Sequence, residues 1–169
     1  MGKQRQPKFP STLILHRVGD DVIRLARNLS DKKSKERWLH GVVLGLLEAY
    51  VGNMQSEYSV GKGRQRIDFR QHGNNPVVIE LVIRFHGIEH YGNSNVSELG
   101  KLSRVPVARA RKAILLIIDV SGQRAIKKES LRKNYRKVGA GKGRGERRSV
   151  TVMYVHPLTR YNFRWNGKR

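Results

Sequence analysis

The chain has 169 residues, 38% of them hydrophobic, no cysteine, and a formal charge of +22 from 35 Lys and Arg against 13 Asp and Glu. Its apolar content suits one compact domain with a core and excludes a disordered basic tail, while the lack of cysteine excludes disulfides, thiolate zinc sites and cysteine nucleophiles. No apolar run reaches the roughly 18–20 residues that span a bilayer, and the opening "MGKQRQPKFP" has no signal-peptide core, so an intracellular, cytoplasmic protein is expected.

Residues 1–12 read as a polar arm. "TLILHRV" at 12–18 predicts a short strand and "DDVIRLARNL" at 20–29 a short helix. In "SDKKSKERWLHGVVLGLLEAYVG" Leu39, Val43, Leu46, Leu47 and Tyr50 recur at helical spacing, with Ser30 or Ser34 as cap and Gly52 as stop. "SEYSV" (56–60), "RQRIDFR" and "VVIELVIRF" then predict three strands in a meander, joined at Gly61-Lys62-Gly63 and at "HGNNP". Asn95 opens a further helix, with Glu98 three residues on as in a capping box, and Pro106 ends it. "KAILLIIDVSG" (112–122) is apolar almost throughout, as in a strand covered on both faces. A basic helix near 125–137, the loop "VGAGKGRGERR" and a strand at 149–155 follow. The fold class is therefore α/β (α+β), a central mixed sheet flanked by helices. Residues 1–29 make an arm with a short helix, and 30–165 a single domain whose last third is strongly basic.

Two acids stand out. In the strand 77–85, Val78, Glu80, Val82 and Arg84 share one face, and Val77, Ile79, Leu81, Ile83 and Phe85 the other. In the strand before it, Ile67 and Phe69 are expected on one face and Asp68 on the opposite one. If these strands pair, Asp68 and Glu80 can lie on the same face, within reach of one ion. Two carboxylates among apolar neighbours are costly unless a cation joins them, and oxygen ligands of this kind suit Mg²⁺ or Mn²⁺. Glu48 lies on a helix stripe with Gly41, Leu44, Gly45 and Gly52, a small-residue face suited to close approach to the sheet.

A helix, a hairpin, "RIDF", a turn, "VIELV", then a helix and a strand resemble the core of the restriction-endonuclease-like, or PD-(D/E)XK, nuclease superfamily over roughly residues 31–122. The resemblance implies a metal-dependent endonuclease that hydrolyses phosphodiester bonds, with Asp68 and Glu80 as the acids and Glu48 as a further metal ligand. The family's lysine two residues after the second acid is here Val82. Lys101, three residues after Glu98, is the first candidate to supply that cation, and Arg84 the second.

The charge is uneven: residues 1–100 hold 15 bases and 10 acids, residues 101–169 hold 20 bases and 3 acids. Such an excess fits a polyanion, and nucleic acid, duplex DNA ahead of RNA, is the expected partner. No lipidation motif or bulky amphipathic helix points to a membrane. Expected backbone contacts are Arg84, then Lys127, Lys128, Arg132, Lys133 and Arg136 on the basic helix, and Lys142, Arg144, Arg147 and Arg148 in the glycine-rich loop. "GAGKGRGE" lacks the Gly-Lys-Ser/Thr ending of a phosphate loop. His86 and His90 are four apart but follow a strand and Gly87, and "EHYGNSN" is only a fragment of a His-Asn nuclease site. Tyr154, Tyr161, Phe163 and Trp165 are read as packing of a terminal strand. A homodimer would let such an enzyme cut both strands of a duplex. The alternatives are a non-cleaving nucleic-acid-binding protein on the same scaffold and a structural component of an RNA–protein assembly.

Overall fold

The computed structural model describes residues 10–27, 32–59, 66–85, 94–136 and 148–166. In chain order it holds α1 (Thr12–Ala26), α2 (Lys32–Tyr50), β1 (Met54–Ser59), β2 (Arg66–Gln71), β3 (Val77–Arg84), α3 (Ser94–Ser103), β4 (Lys112–Asp119), α4 (Lys128–Arg136), β5 (Val150–His156) and β6 (Thr159–Trp165). The strands form one six-stranded mixed sheet in sequence order. β1, β2 and β3 are an antiparallel meander, β3, β4 and β5 run parallel, and β6 returns antiparallel. The fold is thus α+β, with helices on both faces.

The parallel strands need crossovers, and α3 and α4 supply them. Leu99 and Leu102 of α3 and Leu131 and Tyr135 of α4 pack on one face with Val78, Leu115, Val152 and Phe163. Leu15, Val18 and Val22 of α1 and Leu39, Val43 and Leu47 of α2 cover the other, over Ile79, Leu116 and Val155. β4 alternates between the two cores, Ala113, Leu115 and Ile117 facing α3 and Ile114, Leu116 and Ile118 facing α1 and α2. A strand enclosed on both faces has little room for polar residues, which explains its apolar run.

The expected strand at 12–18 is instead the first half of α1. The Ser11 hydroxyl accepts from the Ile14 amide at 3.3 Å and caps the helix. Leu15, Val18, Gly19, Val22, Ile23 and Ala26 form its buried stripe. A helical period runs straight through the segment, longer than the short window that suggested a strand. No helix among the described residues is long and apolar enough to cross a membrane.

Candidate active site: a carboxylate pair and a lysine

β2 and β3 pair with Phe69 opposite Ile79 and Arg70 opposite Val78. One step further along, Asp68 and Glu80 come opposite each other. There each carboxylate takes a backbone amide: Asp68 N–H donates to Glu80 Oε2 at 3.3 Å, and Leu81 N–H donates to Asp68 Oδ2 at 2.7 Å. The two acids lie together on the sheet. β2 also turns at this point. Ile67 packs into the α3 core and Phe69 into the α1–α2 core, not on one face as expected from alternation. Glu57, the β1 residue between the paired positions Ser56 and Tyr58, takes a positive φ of 52°. That left-handed backbone is uncommon for a side chain with a Cβ, and it marks where the hairpin bends.

Lys101 comes from α3. Its Nζ pairs with Glu80 Oε1, with Glu98 Oε2 at 2.6 Å, and with the Arg66 carbonyl at 2.8 Å. Leu99 and Leu102, both fully buried, hold the helix down and fix where Glu98 and Lys101 sit. Burial pushes the Glu80 carboxyl up to about 9, helped by its hydrogen bond with Glu98 and by the Asp68 charge, and Lys101 offsets only part of this. Burial also raises Asp68, against the Leu81 amide, His40 and Lys101, which favour its charge. At Glu98 burial is outweighed by hydrogen bonds with Glu80 and Lys101, so its carboxyl titrates below the usual range. At Lys101 burial is outweighed by the same two acids, and its ammonium is held above its usual range. Glu80 therefore keeps a proton while Glu98 is ionised, and Lys101 is charged between them.

The structure thus brings Asp68, Glu80 and Lys101 together, and adds Glu98. Glu48 is engaged elsewhere. Its carboxylate accepts from the Asn53 amide at 3.2 Å and the Met54 amide at 2.6 Å, shaping the turn after α2. The glycine stripe beside it does not approach the sheet: Gly41 and Gly45 are exposed, and a Cβ at either would meet nothing within 4 Å. Among the described residues no three His, Asp or Glu side chains form a ligand set for a metal ion. The oxygen donors brought together are the two carboxylates of Asp68 and Glu80, a donor type that hard cations take, while Glu98 is held by Lys101.

Arg84, expected at the nucleic-acid surface, is 5% exposed and forms a buried ion pair with Asp119. Asp119 also accepts from the Tyr154 hydroxyl, and from Ser121 through its amide at 3.1 Å and its hydroxyl at 2.6 Å. An enclosed guanidinium of this kind ties strand ends together and is not free to meet a phosphate. Arg148 is also engaged: it is half-buried, its guanidinium donates to the Ala110 carbonyl, and burial lowers its pKa. Lys127, just before α4, and Arg132, Lys133 and Arg136 on it are exposed, and Lys128 is half-exposed. Arg132 and Arg136 border a cleft of about 240 Å³ with Phe163, Arg164 and Trp165. Lys142, Arg144 and Arg147, with "GAGKGRGE", His86, His90 and residues 89–93 of "EHYGNSN", lie outside the described residues, while its Ser94 and Asn95 begin α3.

Sequence reasoning took Glu98 for a helix cap. The signal for its second role was its three-residue spacing from Lys101. It missed His40 of α2, which lies close enough to Asp68 to act on its carboxyl and whose ring lies 5.9 Å from that of Phe69; nothing local in the sequence marks that residue. Comparison with protein-family models, with curated proteins and with solved structures returned no match.

Proposed function

We propose that the protein is a metal-dependent nuclease with a restriction-endonuclease-like core, acting on duplex DNA in preference to RNA. One observation carries the reading: the paired acids of β2 and β3 meet a lysine delivered by the following helix. The order of elements from α2 to β4 is the one expected of that core. The +22 charge supplies affinity for the polyanion.

Asp68 and Glu80 would hold Mg²⁺ or Mn²⁺ once Glu80 gives up its proton to solvent, with Glu98 beside them. Bound there, the ion would withdraw charge from a phosphoryl oxygen and acidify a nearby water. Lys101 takes the part of the motif lysine that Val82 does not fill. Its Nζ stays protonated and, released from Glu80, donates to a non-bridging oxygen as negative charge builds on the phosphorus centre. Glu98 keeps that ammonium within reach.

A nicking assay on plasmid and on RNA with Mg²⁺ or Mn²⁺ tests this. Cleavage by the wild type, lost by at least about 100-fold in Asp68→Asn and in Lys101→Met with binding retained, is the expected outcome. Equal cutting by Asp68→Asn would refute it. A second reading, binding without cleavage, is favoured by Val82 itself, which packs against the α3-side core two positions after Glu80. Tight binding with no cutting under either metal would establish it.

A further inference from the structure

We infer that residues 104–111, the segment from α3 to β4, form a rail for the phosphate backbone that leads nucleic acid to the carboxylate pair. This rests on the nuclease reading and adds the path of the substrate.

The segment reads "RVPVARAR". Val105 and Ala110 are buried, whereas Arg104, Val107, Arg109 and Arg111 are exposed. It has no helix or strand, yet its backbone is fastened throughout. Within it, the Arg109 and Ala110 amides donate to the Pro106 carbonyl at 2.9 and 3.2 Å, and the Arg111 amide donates to the Pro76 carbonyl at 2.6 Å. From outside, Arg70 Nη2 donates to the Arg109 carbonyl at 3.4 Å while its guanidinium lies 4.2 Å from the centre of the Tyr58 ring. Arg148 holds the other side, its amide donating to the Ser103 carbonyl at 3.2 Å and its guanidinium to the Ala110 carbonyl. Arg104 and Arg109 thus project from a backbone held in place and Arg111 is further tied by its Nη1 to Asn75 Oδ1 at 2.5 Å, so the backbone needs little ordering on binding.

The chemistry of the partner follows from charge. No Asp or Glu occurs between Glu98 and Asp119 in the sequence, so these guanidiniums repel one another until an anion arrives. Regularly spaced phosphates answer several neighbouring guanidiniums at once. A lipid surface would also require bulky apolar residues, and the segment exposes only Val107.

The Arg104 end of the rail lies nearest the acids, and the Arg111 end meets Pro76, four residues along β3 from Glu80, about 13 Å. Arg104 follows Lys101 by one turn, its amide donating to the Lys101 carbonyl at 3.2 Å. Arg70 is two residues past Asp68. The cleft beneath Arg132 and Arg136 is bordered by Phe163, which the ladder places level with Glu80 through Leu115 and Val152 but three strand spacings away, about 14 Å. Phosphates of one strand follow at about 3.4 Å of duplex axis, so those flanking a bound phosphate reach the rail first.

Binding of the full chain to a fluorescent DNA duplex, across a KCl series with Ca²⁺ in place of Mg²⁺, tests the rail. Combined Arg104→Ala, Arg109→Ala and Arg111→Ala should weaken affinity at least about tenfold and make the slope of log affinity against log salt shallower by about 3. Combined Arg132→Ala, Lys133→Ala and Arg136→Ala should do less. Arg109→Gln alone keeps the carbonyl that Arg70 holds and should flatten the slope by about 1, which covers loss of fold in the triple variant. A triple variant that folds and binds as the wild type does removes the rail and leaves the nuclease reading intact. A wild type that binds no duplex, or binds only phosphatidylserine vesicles, removes both.

Discussion

At Glu80, burial and a neighbouring carboxyl both oppose ionisation, so the folded protein keeps a proton that the unfolded chain releases near 4.5. The stabilisation this proton provides is complete below about 4.5 and is lost as the pH rises through about 9. Asp68, also raised, acts in the same sense. Glu98 is lowered, so its contribution is present above its unfolded pKa and is lost on acidification. Lys101 is raised, and its contribution persists until the pH exceeds the ordinary lysine value of 10.5. Between pH 5 and 9 the wild-type melting temperature should therefore fall more steeply than that of Glu80→Gln, which has no proton to lose. Differential scanning fluorimetry across buffers checks this, and parallel curves would contradict it. That β2 and β3 pair was legible from the turn between two apolar runs, whereas the register that sets Asp68 against Glu80 was not fixed by strand order. Nor was the hydrogen-bond exchange between them legible, because it depends on a bend at Glu57 that no local residue preference announces.

Among elements, α1 and α2 show how differently two helical glycines act. A Cβ on Gly19 would lie 2.7 Å from Val155 Cγ1 and 2.8 Å from its Cβ, so α1 sits directly on β5. A Cβ on Gly45 would meet nothing within 4 Å. Gly19→Val should cost about 1–3 kcal/mol by overpacking. Gly45→Ala should gain about 0.5–1 kcal/mol through reduced backbone freedom in the unfolded chain. Denaturant midpoints measure both, and a stabilised Gly19→Val would show that α1 can lift from the sheet. β3 and β4 were legible in the sequence because strands walled in on both faces admit few polar residues. α1 was not, because "TLILHRV" read alone fits a strand, and only its continuation to Ala26 reveals the helical stripe. The glycines of α2 looked like a docking face from spacing alone; the packing shows that they face solvent.

For the molecule as a whole, the excess of 22 positive charges sets two salt dependences of opposite sign. Added KCl screens repulsion between like charges in the compact state, with a screening length of about 10 Å at 0.1 M, so the melting temperature should rise with salt. Affinity for nucleic acid should fall over the same range, because fewer counterions are released. Thermal scans and binding isotherms over one KCl series decide this, and a melting temperature that drops with salt would refute the repulsion argument. Within that cationic chain, the acids of β2, β3 and α3 already have a partner in Lys101. A tethered ammonium serves them as a resident counter-ion. A divalent ion binding at these carboxylates would have to displace that ammonium from Glu80 and drive off the proton Glu80 carries.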